Sequence, residues 1–191
     1  MAVLVKRHPD QLPTGYPVHL EEEVMLPNGE LLWVRPLVPE DAAALAAEFA
    51  AVDDDTVYMR FFNPHFRLTA DRLRYLTEVD YHHHLALAAM IRRGNVYEGV
   101  AIARYVERTA DDVEGAIVVK PDYRRLGIAG LLLERLADIA AGEGYRTMSA
   151  SYLESNAGAA SLLAACGFGE PTIETGVAHS VRQLMDAVPA G

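Results

Sequence analysis

The stretch from Glu114 to Ala141 constrains the fold more than any other. EGAIVV (Glu114 to Val119) reads as a strand, YRRLGIAG (Tyr123 to Gly130) as a loop, and LLLERLADIAA as the helix that leaves it. Gly127 and Gly130, with the small Ala129 between them, let the backbone come close to a bulky group. The first N–H groups of a helix have no intrahelical partner, and the helix dipole puts partial positive charge there. Arg124 and Arg125 add full charges beside that end. Such a loop can hold a diphosphate; it can equally be a turn eased by glycine, with both arginines in water. Two nucleotide loops fail on spacing. No Lys-Ser or Lys-Thr follows the glycines, as a nucleotide-hydrolase loop requires. The glycines are not spaced G-x-G-x-x-G, and the loop comes late in the chain, unlike a dinucleotide-binding loop.

The elements around the loop predict one α/β (α+β) domain. Two apolar runs flank Asn28-Gly29, a strong hairpin signal. VPEDAAALAAEFAAV predicts a helix with Pro39 in its first turn. Thr69 is a suitable N-cap for a second helix over 69–80, with Leu73 and Leu76 on one face. The runs at 85–91, 99–106 and 115–119 read as neighbouring antiparallel strands. A strand is expected at 147–153, a helix at 156–166 stopped by Gly167, and a last strand at 177–184. Pro9, Pro13 and Pro17 predict an irregular segment over 1–20, which leaves 21–187 as the single domain.

Composition narrows the function classes. With 51% hydrophobic and 23% charged residues the 191-residue chain is of globular type, and no apolar run is long enough to cross a membrane. Lys6, Arg7 and His8 interrupt the apolar start in an order wrong for a signal peptide. A single cysteine, Cys166, fits a reducing compartment, so the expected location is the cytoplasm. The net charge of −10 argues against nucleic acid or an anionic membrane as partner. The acidic clusters at 21–23 and 53–55 are expected on solvated loops.

The residues also resemble a known family. Val119 and Pro121, followed by Arg124, Gly127 and Ala129, are similar to the acyl-CoA loop of the GNAT N-acetyltransferases. A second motif follows at the matching distance: Asn156 and Ala159, closing on Gly167-Phe168. LLWVRPLVPEDAAAL and TVYMRFFNPHFRLTADRLRYLTEVDY further resemble the GNAT domain of bacterial Pat-type protein lysine acetyltransferases. In that group the domain often sits beside a regulatory or acyl-CoA synthetase-like module, which is not expected within these 191 residues.

The resemblance implies a GNAT fold: a mixed, mostly antiparallel sheet flanked by helices. It implies a V-shaped split between the family's fourth and fifth strands, here the strand ending at Val119 and the strand at 147–153. Acetyl-CoA would be the cosubstrate, with backbone groups of Ile117, Val118 and Val119 along its pantetheine arm. The loop of Arg124, Arg125, Leu126, Gly127, Ile128, Ala129 and Gly130 would hold its pyrophosphate, and Asn156 would contact it. The acceptor implied is an exposed lysine of a protein, with an acyl-CoA synthetase as one candidate partner. A small-molecule amine acceptor, or a non-catalytic acyl-CoA-binding module, are the alternatives.

A lysine amine has an ordinary pKa near 10.4 and must lose a proton before it attacks. Glu114 matches the glutamate of the Pat-type A-E-x-A pattern, within Val113-Glu114-Gly115-Ala116, and is the expected general base. On its residues alone it reads rather as an ordinary strand-end carboxylate in water. Many GNAT enzymes carry a tyrosine seven residues after the asparagine; Leu163 stands there, with Tyr152 and Ser155 as weak substitutes for a general acid. His82, His83 and His84 are consecutive, so their side chains alternate in direction and no metal site is expected. Cys166, beside a helix-ending glycine, reads as a core residue.

Overall fold

The computed structural model describes residues 3–4, 12–51, 53–63, 65–94 and 96–184. Strands β1 (Val3–Leu4), β2 (Glu22–Met25) and β3 (Leu31–Pro36) precede helices α1 (Ala42–Ala51), α2 (Asp54–Phe61) and α3 (Ala70–Thr77). Strands β4 (His84–Arg93), β5 (Val96–Thr109) and β6 (Asp112–Val119) follow, then helix α4 (Ile128–Gly142). The chain closes with β7 (Thr147–Leu153), α5 (Ala157–Ala165), β8 (Thr172–Glu174) and β9 (Val177–Gln183). The sheet order is β2-β3-β4-β5-β6-β7-β9-β8, with β1 added to β5. Every pairing is antiparallel except β6 with β7. This is the mixed, mostly antiparallel sheet expected from the sequence.

The apolar run at 85–91 does not alternate because β4 is covered on both faces. Leu85, Leu87, Ala89 and Ile91 belong to the core under α4, while Ala86, Ala88 and Met90 pack with Trp33 and Leu37 on the other face. Helix α4 turns Ile128, Leu132, Leu133, Leu136, Ala137 and Ala140 into the first core at three- and four-residue spacing. Each leucine buried this way contributes about 1.5–3 kcal/mol of transfer free energy.

Several elements differ from the expectation. The opening segment is not irregular throughout, since Val3 and Leu4 pair with Glu98 and Tyr97, and Val18–Leu20 form a 3-10 turn. The basic run at 6–8, Pro9 and the end of the expected domain at 185–187 lie outside the described residues. The acidic cluster at 53–55 opens α2: Asp53 accepts hydrogen bonds from the Thr56 N–H and hydroxyl, each 2.8 Å. Helix α3 is capped by Thr69 as expected but stops at Thr77. Beyond it the Asp80 carboxylate accepts the N–H groups of His82 and His84, at 3.0 and 2.8 Å, which fixes a turn in place of further helix. Strand β8 was not anticipated. Thr175 and Gly176 join it to β9 with φ of 48° and 81°, the left-handed pair of a tight hairpin turn.

The parallel pairing of β6 with β7 runs only from Asp112 opposite Thr147 to Gly115 opposite Ala150. Past that point β6 stays paired with β5 through Val119, and β7 stays paired with β9 through Leu153. The two strands therefore part, and the V lies between Ala116–Val119 and Ser151–Leu153, where the sequence placed it.

Candidate active site

The parted strands leave backbone groups without strand partners. The Lys120 N–H donates to Val100 O at 2.9 Å. With the two-residue alternation of a strand, Ala116 and Val118 then direct their backbone groups to β5, and Ile117 and Val119 turn theirs to the open edge. The backbone at Val118 therefore does not face the cleft, and its side chain lies in a cavity on the other face of the sheet. Of the three residues expected along the pantetheine arm, Ile117 and Val119 are the two so placed.

The loop after β6 leads from the open edge of the V into helix α4. Pro121–Tyr123 make one 3-10 turn, Arg125 takes φ 66°, and Gly127 caps α4 with φ 82°. Successive turns of this kind aim backbone N–H groups into a shared concavity suited to anions. The first intrahelical bond is donated by Leu131 to Gly127 O at 3.0 Å, so the N–H groups of Ile128, Ala129 and Gly130 precede the helical ladder. Ile128 itself is buried in the core, which leaves its backbone as the part that can serve a ligand. A Cβ at Gly127 would meet nothing within 4 Å, so the space in front of the loop is open. A Cβ at Gly130 would meet Cys166 Sγ at 4.0 Å, an ordinary contact, so packing against α5 does not itself demand glycine there. Leu126 is partly buried against the core, and Arg125 is exposed. Arg124 folds back, donating from Nε to Val119 O at 3.3 Å and from Nη2 to Thr56 Oγ1 at 3.2 Å. It ties the loop to α2.

The cleft inside the V is a cavity of about 90 Å³. Gly115 to Ile117 form one wall and Ala150 to Tyr152 the other, with Leu133, Leu163 and Asn156 at the helical side and Met59 of α2 across it. Asn156 caps α5 by accepting the Ala159 N–H at 3.0 Å through Oδ1, which leaves its amide NH2 group as the donor end. Leu163 is buried in this wall where many relatives of the fold would carry a tyrosine hydroxyl, whereas Tyr152 lines the cleft and Ser155 is exposed. A second, apolar cavity of about 140 Å³ lies on the opposite face under α1–α3, with Ala116 as the wall common to both.

Glu114 sits one residue before the strands part. Its side chain is one-third exposed. Arg108 Nη1 donates to Oε2 at 2.8 Å, and Ser151 Oγ donates to Oε1 at 3.1 Å. Ser151 Oγ also lies 3.0 Å from His179 Nδ1. The sequence alone marks neither Arg108 nor Ser151, and it offers His179 of the last strand without a role. The only signal was indirect: Thr147, Ser149 and Ser151 alternate with apolar residues on β7, marking a polar face.

The consecutive histidines go to three different places. His82 Nδ1 meets Glu143 at 3.1 Å, and His83 Nδ1 meets Glu107 at 2.6 Å. That hydrogen bond holds the His83 ring above its ordinary pKa. His84 stacks on Tyr75 with ring centroids 5.0 Å apart and lies 3.1 Å from Arg104 Nη1; burial, then the Arg104 charge, push it down to about 4. Cys166 is buried, and burial pushes its thiol up, away from the thiolate a nucleophile needs.

An open strand edge running into a helix N-terminus suits an extended ligand that carries a diphosphate, which is the arrangement the resemblance to CoA-dependent acyltransferases implies. Comparison with known proteins agrees. The sequence model of the acetyltransferase (GNAT) family matches residues 51–168. The GNAT domain of S. lividans Pat superposes with a TM-score of 0.79 at 31% identity, covering 88% of this chain and 99% of that one. An acetyltransferase of Pseudomonas aeruginosa is 27% identical over 158 residues, 81% of this chain and 85% of its own. Acetyltransferase Pat of Mycolicibacterium smegmatis is 30% identical over 135 residues; the match takes in 70% of this chain but only 40% of that longer protein. A Salmonella typhimurium protein solved with acetyl-CoA shares the fold, with a TM-score of 0.64 at 20% identity over 82% of this chain and 96% of that one. The chain belongs to the GNAT acetyltransferase family, and its cosubstrate is acetyl-CoA.

Proposed function

We propose that this domain, taken as residues 21–187 and working in the cytoplasm, transfers an acetyl group from acetyl-CoA to a lysine side chain of a protein. The observation that carries the reading is the position of Glu114 at the fork of β6 and β7, with both carboxylate oxygens engaged and a third of the side chain open to solvent. Beside it, Ser151, His179 and Val181 look out from a sheet face that reaches the surface, which suits approach by a macromolecule. The likeness to the S. lividans Pat domain goes with the resemblance to Pat-type enzymes on which this reading draws.

The residues divide the work. Acetyl-CoA supplies the activated acyl group. Backbone N–H groups at the start of α4 and loop groups from Arg125 to Gly127 would hold the diphosphate, and Asn156 would donate from its amide across the cleft. The open-edge backbone of Ile117 and Val119 would pair with the pantetheine, and an open-edge N–H would polarise the carbonyl of the thioester. Glu114 would accept the proton from the lysine ammonium, directly or through one water, so that the free amine attacks. Leu163 supplies no proton, and a thiol of ordinary pKa near 8.5 departs without a dedicated acid. An acyl-CoA synthetase, whose product is the donor, is one candidate acceptor.

Incubation with radiolabelled acetyl-CoA, a lysine-bearing protein panel and a polyamine and aminoglycoside panel tests the acceptor. Label in acid-precipitated protein is expected. Label confined to small amines would transfer the proposal to that class, and binding with no transfer to either panel would point to a non-catalytic module.

A further inference from the structure

Glu114 must give up its acquired proton before each new turnover, and the structure offers a way out. We propose that Ser151 and His179 form a relay that carries this proton from Glu114 to solvent, an inference that rests on Glu114 acting as the base. Three neighbouring strands supply one residue each. Glu114 of β6 meets Ser151 of β7 at 3.1 Å, and Ser151 meets His179 of β9, its register partner, at 3.0 Å. The other oxygen of Glu114 is held by Arg108 at 2.8 Å, an always-protonated donor that cannot take a proton. At Oε2 the proton meets a group that cannot carry it, whereas Oε1 leads to a hydroxyl that can.

The chemistry of the three groups suits the task. A hydroxyl both donates and accepts, and imidazole can gain a proton on one nitrogen and lose one from the other. The carboxylic acid form of Glu114 gives its proton to Ser151 Oγ as the Ser151 hydroxyl gives its own to His179 Nδ1. His179 is exposed and releases the proton from Nε2 to water. One proton enters and one leaves; rotation of the serine hydroxyl, together with return of the exposed imidazole to its Nε2–H tautomer by proton exchange with water, resets the chain. Ser151 also lines the cleft, so the relay begins at the reacting groups and ends at the surface. Ser151 and His179 act through Glu114 and are positioning and proton-carrying residues.

The test measures His179→Ala, Ser151→Ala and Ser151→Thr in dilute, poorly proton-transferring buffer, beside Glu114→Gln. His179→Ala is expected to lower kcat about tenfold, the low end of acid–base contributions, with the KM for acetyl-CoA unchanged. Added imidazole should restore its rate, which a purely structural role would not allow. Ser151→Thr keeps a hydroxyl and should retain activity that Ser151→Ala loses. Wild-type kcat in His179→Ala, or a loss that imidazole leaves untouched, overturns the relay. If Glu114→Gln is inactive in that case, the base reading stands alone; if Glu114→Gln is fully active, base and relay both fall.

Discussion

His84 shows how far a single side chain's fate depends on where its neighbours put it. The two histidines before it, His82 and His83, face solvent and carboxylates, while it is drawn between Tyr75 and Arg104 at the rim of the helical layer. Burial and the adjacent guanidinium push its pKa down from 6.5 to about 4. Between those values the unfolded chain carries a proton that the folded chain lacks, so stability is full above pH 6.5 and declines as pH falls toward 4. Discounted for partial exposure, the loss is about 1–2 kcal/mol, or roughly 3–6 °C in melting temperature. Melting curves from pH 7 to 4.5 should therefore fall more steeply for the wild type than for His84→Gln. Parallel slopes would show that another group governs the acid limb. Arg35 and Asp41 illustrate the opposite case: both are buried, and two bonds of 2.7 Å join them, so the pair holds the start of α1 against β3.

At the scale of elements, the site is made by two terminations. The pairing of β6 and β7 stops after Gly115, where a Cβ would come within 3.1 Å of Met148 Sδ. The helix α4 starts at Gly127, whose φ of 82° an L side chain adopts only under strain. Gly127→Ala meets no steric neighbour, so its cost in the free protein is backbone strain of about 1–2 kcal/mol. The same change would crowd the approach to a diphosphate and tilt the adjacent N–H groups. Calorimetry should show acetyl-CoA binding weakened by about tenfold, that is about 1.4 kcal/mol, in a variant that still folds. Unchanged affinity would mean that the cofactor does not use this end of α4.

Across the whole molecule, what was legible in the sequence was local. The Asn28-Gly29 hairpin, the amphipathic α4 and the runs that became β4 to β6 carry their periodicity within a dozen residues, and all formed as expected. The glycine-and-arginine loop and Asn156 were legible for the same reason, because a helix start is a local chemical pattern. Helix α2 was hidden because its onset depends on Asp53 capping Thr56 in a segment that otherwise reads as acidic loop. Strands β1 and β8 were hidden because a strand of two or three residues exists only through its partner. The relay of Glu114, Ser151 and His179 could not be read at all from spacing. It comes from the register of three strands whose residues are far apart in the chain.

These scales meet at Glu114, which the fork of the sheet, Arg108 and Ser151 all hold in one place. The most direct measurement is turnover of Glu114→Gln with a lysine acceptor, taken together with its acetyl-CoA affinity. Loss of the base should lower kcat about 100-fold or more, within the range of general-base contributions, while acetyl-CoA binds within about twofold of the wild type. Near-normal turnover in that variant would contradict the account and move the chemistry away from the fork.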